Sequence, residues 1–200
     1  MTITYVCDNG LYVNTTNRCT NSCDFCVRNG NGEDLYGDLW LEREPTVEEI
    51  NNAIDAALDC GEKYKEIVFC GFGEPSERLY DIFEVCRHIR SRSTLPIRMN
   101  TNGHADLIWG HDTAPDFKGL FDTVSISLNT PNAEEYDRIC HCVYGTEGFL
   151  ALLRFAENVK KYVPSVLLSV VRGSIPDSEL ERCQKLADDI GVKLRVREML

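Results

Sequence analysis

Six short apolar runs alternate with amphipathic segments along the chain, and no other feature restricts the fold so strongly. Each run has the length and the continuous apolar character of a strand that is buried on both faces. Strands connected by helical crossovers pair in parallel. The pattern therefore predicts an α/β fold with a curved parallel sheet, either a partial barrel or an open doubly wound sheet. The runs lie at residues 11–16, 66–70, 96–100, 123–128, 166–171 and 192–196.

Four amphipathic segments predict the crossover helices. The first begins at a capping box, Thr46-Val-Glu-Glu49, and Gly61 is its expected stop. The other three have one apolar face each and cover residues 76–90, 147–161 and 177–190. Two weaker segments predict a loop with a short helix and a second short helix; they lie at residues 104–119 and 132–142.

Length and charge narrow the classes of function. The 200 residues predict a single domain over 1–200. A formal net charge of −11 argues against nucleic-acid binding through phosphate contacts. The amino terminus has no basic segment followed by an apolar run, and no stretch approaches the ~18 apolar residues of a membrane span. We therefore expect a cytoplasmic protein with no membrane association.

Ten cysteines need an explanation in a chain of this kind. With no export signal predicted, disulfide bonds are not the expected reason. Cys60, Cys70, Cys86 and Cys183 fall within apolar helix or strand patterns. We predict that these four are small buried hydrophobic side chains, because free cysteine is among the most buried residue types.

Cys19, Cys23 and Cys26 form a CxxxCxxC triplet directly after the first predicted strand. Three readings are open: half of a zinc site, three unrelated core cysteines, or an iron–sulfur cluster with one open iron. Three thiolates leave one position of a tetrahedral site or cubane unfilled, and Phe25 suits a planar cofactor better than a zinc knuckle. A zinc site would need a further ligand, for which the candidates are Cys7 and the cluster Cys140-His141-Cys142. That cluster equally fits the end of a short helix.

The other unusual polar residues lie just past strand ends. If the strands are parallel, their carboxyl ends share one rim, where ligands bind in such sheets. Each motif alone is also typical of an ordinary turn. The motifs are Gly71-Phe-Gly-Glu-Pro75, Asn100-Thr-Asn-Gly103, Ser127 with Asn129, and Arg172.

Together these residues resemble the radical SAM superfamily. The resemblance rests on the cysteine triplet with Phe25, then Gly-Glu-Pro and Thr-Asn-Gly in that order, and it spans nearly the whole chain. Within the superfamily, the chain looks most like the small members associated with TatD-type metal-dependent nucleases. The resemblance implies a partial (β/α)6 barrel. It also implies a [4Fe–4S] cluster on the three cysteines and S-adenosylmethionine, whose reductive cleavage gives a 5′-deoxyadenosyl radical that abstracts hydrogen from an unidentified substrate.

The resemblance also assigns roles to individual residues, although it names no catalytic side chain. Gly71, Gly73 and Glu74 would bind the methionyl amino group, chiefly through backbone, with help from Asn100. Ser127 and Asn129 fall where ribose and carboxylate contacts are expected, although Asn129 is uncharged where some relatives carry lysine. The remaining assignments are Arg172 to the carboxylate, and Phe25 with the backbone around Met199 to the adenine.

The implied partners are an electron donor, such as flavodoxin or ferredoxin, and a TatD-type nuclease. The irregular segment 28–44, with Tyr36 and Trp40, is expected to lie near the active site. Two alternative functions are open: a non-catalytic iron–sulfur or electron-transfer module, and an activase that installs a radical on a partner protein. A binding titration would separate the first of these from the enzyme.

Overall fold

The computed structural model describes residues 1–29 and 37–198. Its sheet contains seven strands in the order β1-β2-β3-β4-β5-β6-β7. β1 is antiparallel to β2, and every later pair is parallel. The strands are β1 Thr4–Cys7, β2 Gly10–Val13, β3 Ile67–Phe69, β4 Ile97–Thr101, β5 Thr123–Ser127, β6 Ser165–Val171 and β7 Lys193–Arg197.

Strands that are neighbours in the sheet are also consecutive in the sequence, as they are in the wall of a barrel. A doubly wound sheet would instead reverse direction at a switch point. β1 and β7 are the two edges, so the barrel is not closed. The predicted partial barrel with parallel strands is therefore confirmed, and the doubly wound alternative is wrong.

The predicted helices are all present. The capping box at Thr46 has both of its hydrogen bonds, and Ile50 and Ile54 are buried on the core side of α1. The segment 104–119 forms a short helix and a 3-10 turn, as its weak pattern indicated. The helices are α1 Val47–Asp59, α2 Leu79–Arg92, α3 Ala105–Trp109, α4 Ala133–Cys140, α5 Thr146–Val159 and α6 Leu180–Ile190, with 3-10 helices at Val27–Asn29, Pro75–Arg78, Ala114–Phe117 and Asp177–Glu179.

β1 is the one strand that the apolar runs did not predict. Its residues are half-buried or exposed, so it carries no core pattern. The turn that joins it to β2 has two residues with positive φ, Asp8 at 47° and Asn9 at 61°. Positive φ at both central positions is the geometry of the tight hairpin turn that Asn and Gly favour. The dipeptide Asp8-Asn9, two residue types that tolerate positive φ, was therefore the missed sequence signal.

The cysteine predictions hold in part. None of the ten cysteines, all of which lie in described ranges, forms a disulfide bond, and Cys86 and Cys183 are fully buried in the core. Cys60 is exposed, because α1 ends at Asp59 and Cys60 is the capping residue beyond it. Cys70 is half-buried and faces a cavity. The prediction of burial was therefore wrong for Cys60, and Cys70 is only partly shielded.

Among the described residues, no helix combines the length and the apolar character needed to cross a bilayer.

Candidate functional site

The loops that follow β2, β3 and β4 meet at one rim of the barrel. Val13, Phe69 and Met99 lie side by side in the register, so these strands end at nearly the same level. The cysteine loop leaves β2 and contacts the loop after β3 through a backbone bond, in which Glu74 N donates to the Arg18 carbonyl at 2.8 Å. The convergence predicted from strand ends is therefore present.

Gly71 and Gly73 allow this close contact between the two loops. A Cβ atom at Gly73 would lie 2.2 Å from the Thr16 carbonyl oxygen and 2.7 Å from that of Arg18. At Gly71 the nearest atom, at 2.0 Å, belongs to the Asn14 side chain. Both positions exclude any side chain, but only at Gly73 is the obstacle backbone.

This difference predicts unequal effects of two alanine substitutions. Gly73→Ala should lower the free energy of unfolding by about 3 kcal/mol, because the cysteine loop must move to relieve the overlap. Gly71→Ala should cost less, about 2 kcal/mol, because the obstacle is the Asn14 side chain, which can shift only by giving up its hydrogen bond to the Leu39 carbonyl. Chemical denaturation of the two variants measures both values. Equal, small losses would contradict the backbone contact.

The Glu74 carboxylate joins the loop after β3 to the loop after β4. Its Oε1 accepts from Thr101 Oγ1 at 2.6 Å and from Ser76 N at 2.9 Å, and its Oε2 accepts from Asn102 N at 2.7 Å. Burial raises the pKa of this carboxyl, and the three hydrogen bonds oppose that rise. The side chain is thus occupied within the protein, which leaves the backbone of this loop to face a ligand.

The cysteine loop is also paired with the end of α4. Ser22 N donates to the Cys140 carbonyl at 2.8 Å and Asp24 N to the Ile139 carbonyl at 3.0 Å. In the opposite direction, Val143 N donates to the Thr20 carbonyl at 3.0 Å. These long-range backbone bonds hold the first half of the loop against the wall of the domain, as a strand partner would.

Below the loop lies a buried polar network that sequence reasoning missed. Thr20 Oγ1 shares a 2.8 Å hydrogen bond with His104 Nδ1 and accepts from Asn102 Nδ2 at 2.7 Å. Tyr136 OH lies 3.2 Å from His104 Nε2 and accepts from Asn21 Nδ2 at 2.9 Å. The network therefore ties the loop of β2 to the loop of β4 and to α4. Its only sequence signal was His104, directly after Thr-Asn-Gly.

The buried ring of His104 makes stability depend on pH. Burial lowers the pKa of His104 to about 4, against ~6.5 in an unfolded chain. Because the folded pKa is the lower one, the unfolded state takes up the proton first as the pH falls. The stabilisation is complete above about pH 6.5 and is lost toward pH 4. We expect about 2 kcal/mol less stability at pH 5 than at pH 7 from this ring.

Chemical denaturation of the protein and of His104→Gln, under the same anaerobic conditions, measures this effect. The glutamine variant has no ring to titrate, so the difference between the two free energies should shrink by that amount on acidification. A constant difference from pH 7 to pH 5 would show that the ring is not buried in its neutral form.

The three thiols of the triplet share an electrostatic environment. Burial raises the pKa of Cys19 to about 12 and also raises the pKa of Cys26. A hydrogen bond with Cys140, together with burial, raises the pKa of Cys23. Arg28 opposes the rise at all three sulfurs, and it is anchored by a 3.0 Å bond from Nη2 to the Asn21 carbonyl. Arg28, which sequence reasoning treated only as the start of a loop, is therefore the cation that favours all three thiolates.

The zinc reading has no preformed ligand set in the described structure, although Cys140 is hydrogen-bonded to Cys23. Within residues 1–29 and 37–198, no three Cys, His, Asp or Glu side chains converge so that they could hold one metal ion. Cys7 pairs with Gly10 at the opposite end of β2 from the triplet, and His141 turns to Asp24 at 2.6 Å. Cys140 and Cys142 are buried behind the loop. Their reading as the end of a short helix is therefore the better one.

The core reading fails because the triplet is only half-buried, in contrast to Cys86 and Cys183. The cysteines of a cubane cluster bind different iron atoms, so their sulfurs need not converge on one point. Half-buried thiols that share a loop and a cation are compatible with the cluster reading, and the assignment of the cluster to these three cysteines stays a prediction.

The segment after the triplet folds back over the loop that follows β2. Asn14 Nδ2 donates to the Leu39 carbonyl at 2.6 Å, and Asn17 exchanges two hydrogen bonds with the backbone of Leu41. The ring centroid of Trp40 lies 5.2 Å from that of Phe72, which is the residue between Gly71 and Gly73. Trp40 therefore contacts the loop after β3, and the placement of segment 28–44 near an active site stays a prediction; Tyr36 falls outside the described residues.

The remaining predicted site residues are placed as follows. Asn100 and Ser125 line the barrel interior, and Asn100 Oδ1 accepts from Arg98 Nη1 at 2.7 Å. Phe25 is half-buried against the core. Ser127 ends β5, Asn129 is buried beyond it, Arg172 follows β6 at the surface, and Met199 lies outside the described residues.

The profile of the Radical SAM superfamily matches residues 13–187 of this chain. The chain belongs to the Radical SAM superfamily. The match runs from the last residue of β2 into α6, so it includes the triplet and every rim loop through β6. Proteins of this superfamily use a [4Fe–4S] cluster and S-adenosylmethionine. A search of curated protein sequences found no match.

Solved radical SAM structures share the fold at low sequence identity. A radical SAM methyltransferase from Sphaerobacter thermophilus is 17% identical with a TM-score of 0.69, over 98% of this chain and 57% of its own. SuiB from Streptococcus suis, bound to its precursor peptide SuiA, is 12% identical with a TM-score of 0.68, over 94% and 39%. HydG from Carboxydothermus hydrogenoformans is 19% identical with a TM-score of 0.68, over 95% and 44%. The chain thus spans between 39% and 57% of the length of these relatives.

Proposed function

We propose that this chain is a radical SAM enzyme whose Cys19, Cys23 and Cys26 hold a [4Fe–4S] cluster. When bound, the cluster and S-adenosylmethionine supply reductive cleavage of the sulfonium and a 5′-deoxyadenosyl radical that abstracts hydrogen from the substrate. One observation carries the proposal: the loop of half-buried thiols contacts the Gly-x-Gly-Glu loop backbone to backbone at Gly73 and Glu74. The chain itself contributes placement, charge and exclusion of water.

The backbone of the loop after β3 is the proposed contact for the methionyl amino group. Gly71 and Gly73 let this loop pack directly on Asn14 and on the backbone of the cysteine loop, which would bring its backbone groups next to the cluster. Glu74 acts indirectly, because its carboxylate is occupied by Thr101 and by two backbone amides. Asn100 would assist from the barrel interior, where it faces the same cavity as Gly71.

Asn129 offers an acceptor that the protein leaves unused. It is buried, its Nδ2 donates to Cys140 Sγ at 3.4 Å, and its Oδ1 has no hydrogen-bond partner in the described structure. A buried carbonyl oxygen without a donor is costly, and a ribose hydroxyl would supply that donor. We therefore assign Asn129 to the ribose rather than to the carboxylate, with Ser127 beside it at the end of β5.

The methionyl carboxylate and the adenine have less direct candidates. Arg172 Nε donates to Glu198 at 3.0 Å, so a cofactor carboxylate at Arg172 would have to replace this partner. Phe25 and the backbone near Met199 are proposed to flank the adenine, as the family resemblance implies. We propose further that residues 1–200 form a single domain, with the segment 28–44 at its active site.

The partners of the reaction are likewise proposed. A flavodoxin or ferredoxin would supply the electron. We also propose a cytoplasmic location, because such a reductant and ten cysteines without disulfide bonds require a reducing compartment. The motif order supports a narrower placement among the radical SAM proteins associated with TatD-type nucleases. Co-purification with such a nuclease tests that placement. SuiB was solved with a bound peptide, and a peptide is one substrate class that we would test here.

Anaerobic reconstitution with iron and sulfide tests the proposed function. We expect about four irons per chain, an EPR change of the reduced cluster on adding S-adenosylmethionine, and formation of 5′-deoxyadenosine. A cluster that shows no response to S-adenosylmethionine would instead identify a non-catalytic electron-transfer module. Deoxyadenosine formation only in the presence of a partner protein would identify an activase. A chain that holds only zinc would contradict the proposal.

A further inference from the structure

The interior of the barrel contains a cavity of about 620 Å³. Both edge strands line it, since β1 contributes Cys7 and β7 contributes Arg195 and Arg197. It continues to the rim, where Gly71 and Phe72 form part of its wall. The cavity therefore connects the open seam of the barrel with the place proposed for S-adenosylmethionine.

Three arginines face this cavity, and one of them is neutralised. Arg98 forms a paired contact with Glu66, at 2.9 Å from Nε to Oε2 and 3.0 Å from Nη2 to Oε1. Its remaining donors reach Asn100 at 2.7 Å and the Tyr12 hydroxyl at 3.2 Å. Arg98 is thus fully satisfied by the protein and is part of the wall.

Arg195 and Arg197 have no such partner. Neither forms an ion pair with a residue in the ranges 1–29 and 37–198, and the buried Nε of Arg197 has no hydrogen-bond acceptor there. Burial lowers the pKa of Arg197, and the positive charges of Arg195 and Arg98 lower it further. Arg195 is exposed and Arg197 is half-buried, so the unfavourable group is the buried Nε of Arg197, which needs an acceptor that a ligand could supply.

The acidic groups of the cavity do not compensate these two charges. Asp8 and Glu198 also line it, but Glu198 pairs with Arg172 at the rim. Among the acidic lining side chains within residues 1–29 and 37–198, that leaves Asp8 for Arg195 and Arg197. This positive interior belongs to a chain whose net charge is −11, so it is a local arrangement and not a consequence of composition.

We propose that Arg195 and Arg197 bind an anionic group, a carboxylate or a phosphate, of the substrate of this enzyme. Guanidinium groups match both anions with paired hydrogen bonds, and a site shielded from water strengthens the contact. The cavity is large enough for a small metabolite or for the acidic end of a peptide. Its identification as a substrate site rests on the proposed radical SAM function, whereas the anion site itself does not.

Inorganic phosphate and succinate are the probes, each added to the anaerobically reconstituted protein at constant ionic strength. We expect at least one of them to raise the melting temperature and to bind in calorimetry. Arg197→Met should weaken that binding at least tenfold, while its melting temperature without anion should stay equal or rise, because an unpaired buried charge is removed. Arg182→Gln is the matched control, since Arg182 is an exposed arginine paired with Glu179, and it should bind like the wild type.

The probe that binds more tightly, phosphate or succinate, shows whether the site prefers a phosphate or a carboxylate. Absence of binding for both probes, or equal binding by Arg197→Met and wild type, would overturn the anion site. Competition between the bound probe and S-adenosylmethionine, seen as loss of the EPR change, would assign the arginines to the cofactor carboxylate and overturn the substrate role. If the anion binds but S-adenosylmethionine gives no EPR change and no deoxyadenosine, the radical SAM function fails while the anion site stands.

Discussion

Cys23→Ala should leave the protein with little bound iron and should abolish formation of 5′-deoxyadenosine. Two remaining thiolates leave two irons of a cubane without protein ligands, so the protein no longer binds the cluster stably. Cys23 is also the thiol whose charge raises the pKa of both Cys19 and Cys26, which places it centrally in the triplet. Iron analysis after anaerobic reconstitution and chromatographic detection of deoxyadenosine measure the two losses.

Cys60→Ala is the matched control for this variant. Cys60 is an exposed thiol at the end of α1, far from the rim in the fold. It should retain about four irons per chain and full deoxyadenosine formation. Retention of the cluster by Cys23→Ala, with a circular dichroism spectrum like that of the wild type, would show that another side chain of the chain supplies a ligand.

Glu74→Ala should be the most destabilising single substitution at the rim. It removes the acceptor for Thr101 and for the amides of Ser76 and Asn102, and all three donors then remain buried without partners. Orphaned donors of this kind cost about 1–3 kcal/mol each, so we expect a loss of roughly 3–5 kcal/mol in the free energy of unfolding. Iron loading should also fall, because Glu74 connects the loops that support the cysteine loop.

Glu74→Gln separates the hydrogen bonds from the side-chain volume. Its amide keeps one oxygen for Thr101 and Ser76 but turns an NH₂ group toward Asn102 N, so we expect an intermediate loss of about 1–3 kcal/mol. Chemical denaturation of both variants measures the difference. If the alanine and glutamine variants were equally stable, the carboxylate would not be the connection between the two loops.

The sequence was sufficient for features that lie within one loop or one element. The triplet occupies eight consecutive residues, and the capping box at Thr46 occupies four, so each is visible without knowledge of the fold. The common rim was also predictable, because parallel strands bring their carboxyl ends together whatever their exact length. The prediction was weaker where the pattern was short: β1 has four residues and no buried face.

The structure was needed wherever residues distant in sequence meet. Thr20 reaches His104 across 84 positions, and Tyr136 reaches Asn21 across 115. Nothing in the local pattern of these residues indicates a buried network. The same holds for the cavity arginines: Arg98 and Arg197 look alike in sequence, yet Glu66 neutralises only Arg98.

Local spacing and periodicity thus determined the parallel α/β class, the thiol loop and the order of the rim motifs, because these depend on neighbours along the chain. The fate of each polar group depended on the folded chain, because burial and pairing are set by side chains that arrive from other strands. In the part of the chain that the structure describes, Glu74 became an internal connection, Asn129 Oδ1 received no donor, and Arg197 Nε found no acceptor. The cysteine motif was therefore visible in the sequence, whereas the unpartnered arginine that supports the proposed anion site was visible only in the folded chain.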